Sequence, residues 1–140
     1  MNVAYFLTPK QDVVWVPTDA SMRRAFELME QSGYSAVPVL DADGRYAGTV
    51  TEGDLLRHLM HAGDASIQHA ERVRMADVVL RTKITAVDID ADVEALFERA
   101  IKQNFVPVQD SRGAFIGIVR RRQIIEYCTG LLREPTPRDA

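Results

Sequence analysis

Apolar residues recur along this chain in two rhythms. Met22, Ala25, Phe26 and Met29 fall at i, i+3, i+4 and i+7, the spacing of an amphipathic helix. Ser21 stands just before them, where a hydroxyl caps a helix well. Val93, Leu96, Phe97 and Ala100 repeat the spacing behind Asp92, another good N-cap. Short β-branched runs separate these helices and read as strands. The predicted order is strand 13–16, helix 22–31, strand 36–40, strand 46–51 and helix 54–60, then strand 84–87, helix 93–102, strand 106–109, strand 115–119 and helix 123–129. Residues 61–72 read as a polar linker, and 73–80 as a short helix leading into the second set. Residues 1–7 would lead into the first set in the same way. Residues 134–140 carry two prolines and no apolar period, so a flexible tail is expected from about residue 133.

The two sets are copies. Val37-Pro38-Val39-Leu40-Asp41-Ala42-Asp43-Gly44-Arg45-Tyr46-Ala47-Gly48-Thr49-Val50 returns as Val106-Pro107-Val108-Gln109-Asp110-Ser111-Arg112-Gly113-Ala114-Phe115-Ile116-Gly117-Ile118-Val119. The offset is 69 (107 − 38), and it joins Asp41 to Asp110, Gly44 to Gly113 and Gly48 to Gly117. The helices align at 71 (92 − 21), so the second copy is two residues shorter between helix and strand. Each copy is β-α-β-β-α, with a tight turn at 41–44 and at 111–113, where glycine tolerates positive φ. A unit of this size cannot cover its own sheet. The expected fold is therefore α/β, with two repeats packed about a pseudo-twofold axis and a ligand cleft between them. Residues 7–60 form the first repeat and 73–132 the second, within one module of 140 residues.

Composition supports a single globular unit: 46% of residues are hydrophobic and 26% charged, outside the disordered range. The formal net charge of −3 argues against a nucleic-acid partner, which calls for a basic excess. No apolar run approaches the roughly 18 residues of a membrane span, and no basic n-region marks a signal peptide. The one cysteine, Cys128, excludes an intrachain disulfide and points to a reducing cytoplasm.

The sharpest local feature is Gly48-Thr49-Val50-Thr51-Glu52-Gly53-Asp54. A carboxylate at a helix start has two strong acceptors for a ribose diol. Thr51 could donate to a phosphate or ribose oxygen, and a helix N-terminus favours phosphate. The structural alternative is that Thr51 caps the helix and Asp54 occupies its first turn.

Ser35-Ala36-Val37-Pro38-Val39, the Asp41–Gly44 turn and the Gly48–Asp54 segment together resemble a CBS domain, the cystathionine β-synthase-type regulatory repeat. Phe105-Val106-Pro107-Val108 followed by Gly117-Ile118-Val119 resembles its partner repeat. The resemblance runs over about residues 7–132 and implies a tandem module of the Bateman type, as in stand-alone bacterial proteins. It implies binding of an adenosine-containing ligand such as AMP, ADP, ATP or cyclic di-AMP, and a homodimer of four repeats. It places Thr51 and Asp54 at phosphate and ribose, and Ser35, Ala36, Val37 and Pro38 along base and ribose. Lys83, Ile84 and Thr85 would close that first site. Val14, Trp15 and Val16 would close a second, beside Phe105, Val106 and Pro107.

The second copy departs from this pattern. Arg120 and Gln123 replace Thr51 and Asp54, and Arg120-Arg121-Arg122 replaces Thr51-Glu52-Gly53. Loss of the carboxylate weakens the case for ribose there, whereas guanidiniums suit phosphate. Three readings stand. Arg120 or Arg121 reaches across the cleft to phosphates of a nucleoside held by Asp54, the arginines hold a second phosphate of a dinucleotide, or they form a solvated basic turn.

Other signals read as structural. His58 and His61 lack the further ligands of a metal site. Glu52 and Asp54 lie too close in sequence to oppose one another across a substrate. Cys128 reads as a buried inert thiol. Trp15 is either a packing residue or an adenine stacker. The leading function is thus a non-catalytic, cytoplasmic nucleotide sensor with no metal, acting in trans on an unknown protein partner. The alternative is a structural dimerisation module with a degenerate cleft. An enzyme lacks a recognisable nucleophile, metal set or general base.

Overall fold

In the computed structural model, which describes residues 1–133, two sheets form along the lines of the repeat. The first holds β2 (Val16–Pro17), β3 (Ala36–Leu40) and β4 (Tyr46–Thr51), in the order β2-β3-β4. The second holds β1 (Thr8–Pro9), β5 (Val87–Asp88), β6 (Phe105–Gln109) and β7 (Phe115–Arg120), in the order β1-β7-β6-β5. In each, a hairpin pairs antiparallel and the short strand before the helix joins in parallel. Helices α1 (Met22–Ser32) and α2 (Glu52–Ala62) flank the first sheet, and α4 (Val93–Lys102) and α5 (Arg121–Arg133) the second.

The repeat holds in atomic detail. The Oδ1 of Asp41 accepts from the Asp43 and Arg45 amides, each at 2.9 Å. The Oδ1 of Asp110 accepts from the Arg112 and Ala114 amides at the same distances. Each hairpin shifts register near its turn, between Val39 and Leu40 and between Val108 and Gln109. Ser21 and Asp92 cap α1 and α4, accepting from Arg24 and Ala95 amides.

Four expectations need correction. The strands expected at 13–16 and 84–87 pair only at Val16–Pro17 and Val87–Asp88. Val13 instead packs on Phe115 and Ile118 of the other repeat, and a chain crossing between repeats cannot stay in a ladder. The polar linker contains a helix, α3 (Ile67–Arg72), capped by Ser66. The short helix expected over 73–80 is a single 3₁₀ turn, Met75–Asp77, whose Met75 enters the first core with Val78. Residues 1–7 serve the second repeat, not the first. Val3 and Phe6 lie in its core with Leu96 and Val119, and Thr8 pairs with Ile118. Each repeat therefore buries a segment that precedes the other. The expected tail lies outside the described residues, except Arg133, which ends α5.

Candidate functional site

A cleft of about 710 Å³ runs between the repeats, within the usual range for a small-molecule site. One wall is Ser35, Ala36, Pro38 and Thr51 of the first repeat; the other is Phe105, Ile118 and Arg120 of the second. Val13, Val14, Thr82 and Ile84 close it from the two crossing segments. Two separate sites were expected; a single continuous cleft takes in residues of both.

Several named residues support the cleft from behind. Val16, Val37 and Val106 are core residues, at most 1% exposed, and Pro107 is buried. Trp15 packs beside Val13 and Phe115, with the Lys10 ammonium 5.1 Å from its ring centre. Lys83 is exposed and does not line the cleft. Thr85 turns toward Gln103, which takes its amide and hydroxyl at 3.0 Å each and returns a bond to its carbonyl at 3.1 Å.

The Thr51–Asp54 pair forms a reciprocal cap on α2. Thr51 Oγ1 accepts from the Asp54 amide at 3.1 Å, and Asp54 Oδ2 accepts from the Thr51 amide at 2.9 Å. Asp54 Oδ1 takes two further donors, Arg57 Nη2 at 2.6 Å and the Arg81 amide at 3.2 Å. Burial by itself would raise the Asp54 pKa. The donated bonds from the Thr51 and Arg81 amides, with those of Thr51 and Arg57 side chains, outweigh it and hold the carboxyl below its ordinary value. Thr51 reaches the cleft; Asp54, with a side chain wholly covered, does not.

The three arginines have three different fates. Arg120 stands at the cleft with its guanidinium 5.7 Å over the Tyr34 ring, bonded at 3.3 Å to Thr8 and 3.4 Å to Tyr34 hydroxyls. Those bonds are long, so the cation is only lightly held. Arg121 caps the end of α4, donating to the carbonyls of Ala100 at 2.6 Å and Ile101 at 3.3 Å. Arg122 is exposed and paired with Glu126 at 2.8 Å, and it lines the cleft, as Arg121 does. Gln123 reproduces the Asp54 cap: its Oε1 accepts the Arg120 amide at 2.8 Å and its Nε2 meets Thr8 at 3.2 Å.

Tyr34, Asn104 and Ile125 also line the cleft, although sequence reasoning passed over them. Asn104 was legible as the counterpart of Ser35 at offset 69 (104 − 35). Tyr34 has no such mark, since its own counterpart is the buried Gln103. Among the discounted residues, His58 stacks on His69 with ring centres 5.5 Å apart. Cys128 is exposed rather than buried, because α5 turns Ile124, not Cys128, into the core.

Two packed β-α-β-β-α repeats with a cleft at their junction define a tandem-repeat α/β module. The CBS domain pattern matches the chain twice, over residues 4–61 and 64–130, and the chain belongs to that family. Cyclic di-AMP receptor B of Bacillus subtilis (strain 168) is 23% identical over 125 residues, spanning 89% of this chain and 84% of that protein. The crystal structure of CbpB in complex with c-di-AMP superposes with a TM-score of 0.85 at 22% identity, over 94% of this chain and 87% of that one. The crystal structure of CBSX2 in complex with AMP gives a TM-score of 0.70 at 25% identity, over 94% and 98%. No helix among the described residues is long and apolar enough to cross a membrane.

Proposed function

We propose that this protein is a non-catalytic regulatory module that binds an adenine nucleotide in the inter-repeat cleft and signals to a protein partner in trans. The observation that carries the reading is the composition of the cleft. Flat apolar walls from Ala36, Pro38, Ile84 and Phe105 face each other, and one lightly held guanidinium, Arg120, stands at its rim. An adenine fits between such walls, and a phosphate suits the fork of Arg120. Ser35 and Thr51 supply hydroxyls for the ribose between them. AMP, ADP, ATP and cyclic di-AMP all share this chemistry. The similarity to a cyclic di-AMP receptor and to an AMP complex supports the class.

The output is a change of shape or of dimer geometry, for which ligand and partner must each prefer one of two states. Leu56 and Met60 on α2 are 58% and 71% exposed, which supports a homodimer through the helices. The single cysteine suits the cytoplasm.

Thermal melting with AMP, ATP and cyclic di-AMP tests the reading. A ligand at 100 times its Kd stabilises the fold by about 2.7 kcal/mol. No shift with any of the three would instead favour a dimerisation module with an unoccupied cleft. Gln123, in the place of a carboxylate, is the feature that supports that second reading.

A further inference from the structure

The helical faces of the two repeats carry opposite charge. On the first repeat a groove of about 520 Å³ runs between α1 and α2, lined by Phe26, Met29, Gly33 and Leu56. Glu30 and Glu52 also line it, and both are exposed. Neither carboxylate has an ion pair among the described residues. On the second repeat Ile101 replaces Glu30 (101 − 30 = 71), Arg121 replaces Glu52 (121 − 52 = 69), Arg122 replaces Gly53 and Ile125 replaces Leu56. Ile101 and Ile125 are 78% and 54% exposed. Lys102, next to Ile101, is exposed and has no ion pair among the described residues. Arg121 donates to two carbonyls, which leave its charge unneutralised. One face is thus an acidic groove with an apolar lining. The other carries isoleucine and arginine where the groove has glutamate and glycine, so it is a basic apolar ridge. Apolar surface of this extent, rimmed by charge, marks a place of contact with another protein.

We infer that the two faces are complementary halves of one interface between copies of this chain, joined head to tail: the acidic groove of the first repeat receives the basic ridge of the second repeat of another copy. Each copy carries both faces, so the same contact made twice closes a twofold dimer. Head-to-head pairing would set Glu30 and Glu52 against the same residues of the other copy, and Arg121 and Lys102 likewise. Like charges facing across an interface cost affinity. Head-to-head pairing would also set groove on groove, and Phe26 and Leu56 would have no side chain to fill the space between them. The inference rests on the homodimer reading of the helices and not on the nucleotide reading of the cleft.

The test has two arms. In a Cys128→Ser background, which removes the exposed native thiol, Leu56→Cys and Ile125→Cys chains are oxidised separately and as a mixture. The mixture should give a covalent dimer of the two, and neither chain alone should cross-link. In the second arm, sedimentation equilibrium compares wild type with Glu30→Lys/Glu52→Lys. Charge reversal at these exposed positions should weaken the dimer by about tenfold or more. The wild-type dimer should loosen as salt rises from about 0.05 M to about 0.5 M, because screening weakens attraction between opposite charges. Lys102→Glu, on the opposite face, should weaken the dimer severalfold and takes the place of the first variant if that one melts early. Either single-cysteine chain cross-linking to itself at least as well as the mixture overturns the head-to-tail inference. So does a charge-reversed dimer as tight as wild type, or a wild-type dimer that tightens with salt, and in these cases the homodimer reading stands. A dimer that gives no cross-link in any sample is decided by the charge arm. A wild-type chain that stays monomeric at every concentration overturns the homodimer reading and the inference with it, and leaves the nucleotide reading of the cleft untouched.

Discussion

Arg45 and Ala114 form an antiparallel bridge, and each is the other's counterpart in the repeat, 69 residues away (114 − 45). Two counterparts that pair with each other straddle the symmetry axis, so the pseudo-twofold passes between the hairpin tips. The Phe115 amide donates to the Gly44 carbonyl at 2.9 Å beside it. Tyr46 and Phe115, also counterparts, stack with centres 6.4 Å apart. The two sheets are joined at one end by backbone and aromatic contact, and the cleft opens at the other.

The symmetry breaks at Gly48 and Gly117, and stability should report it. An added Cβ at Gly117 would lie 2.1 Å from the Thr8 carbonyl oxygen, on backbone that pairs with β7. At Gly48 the nearest atom is the end of the Leu80 side chain, at 2.8 Å, a flexible terminus that shifts at less cost than backbone although it packs on the first core. Gly117→Ala should cost about 3 kcal/mol or more and release β1, whereas Gly48→Ala should cost about 1 to 2 kcal/mol, chiefly backbone strain. Urea unfolding of the two variants makes the comparison; equal losses would contradict it.

Arg120 and Arg121 are neighbours with separable roles. Arg120→Ala should weaken binding of AMP or cyclic di-AMP by about tenfold or more with little change in melting temperature. Arg121→Ala should lower stability by about 1 kcal/mol through the uncapped end of α4 and change affinity by less than about threefold. Calorimetry and thermal melting on both proteins decide, and interchange of the two phenotypes would reverse the assignment.

Asp54 should make the protein sensitive to acid. Burial opposes its ionisation, but the donors around it win and hold its folded-state pKa below the ordinary value. A group depressed in this way stabilises the fold when ionised. The contribution is full above the unfolded value of about 3.9 and is lost as pH falls through the lower folded value. Asp54→Asn should cost about 2 kcal/mol at pH 7, and the gap from wild type should close below about pH 3.9. Denaturant unfolding between pH 7 and the acid limit measures it; a gap that widens in acid would show the opposite sign.

Tyr46 anchors the segment that crosses from the second repeat. Its hydroxyl lies 2.6 Å from Thr49 Oγ1 and donates to the Ile84 carbonyl at 2.8 Å. Burial is the main cause that pushes its phenol up to about 12, against the opposing bond to Thr49. Tyr46→Phe should cost about 1 to 2 kcal/mol and loosen Ile84 at the cleft, with a severalfold loss of nucleotide affinity. In ultraviolet titration, the tyrosine that ionises last in wild type should be missing from the variant.

The regular elements were legible because their signals are local. Met22 to Met29 and Val93 to Ala100 mark one helical face each, and the Asp–Gly turns are read from four residues. The Thr51–Asp54 cap was also legible, since its partners are three apart. Three features were not. Val13 and Val14 look like strand, but Val13 is buried by Phe115 and Ile118 of the opposite repeat and Val14 sits half-buried between the first core and the cleft. Val3 and Phe6 look like a lead into the first repeat, but the second core takes them. The arginine run looks like one cationic cluster; all three residues line the cleft, but Arg121 is drawn to the end of α4 and Arg122 to Glu126, which leaves Arg120 held only by long bonds to Thr8 and Tyr34.

The sequence by itself determined that the chain is two copies of one β-α-β-β-α unit, too small to fold singly, meeting at a junction. Periodicity, caps and the offset of 69 are properties of residues near in sequence or repeated along it. The tertiary structure alone decided which polar groups face the cleft. Asp54 took a donor from Arg81, 27 residues on, as well as from Arg57, and became a structural anchor. A charged group goes where burial is offset by the most donors, and that count depends on neighbours that only the folded chain brings together.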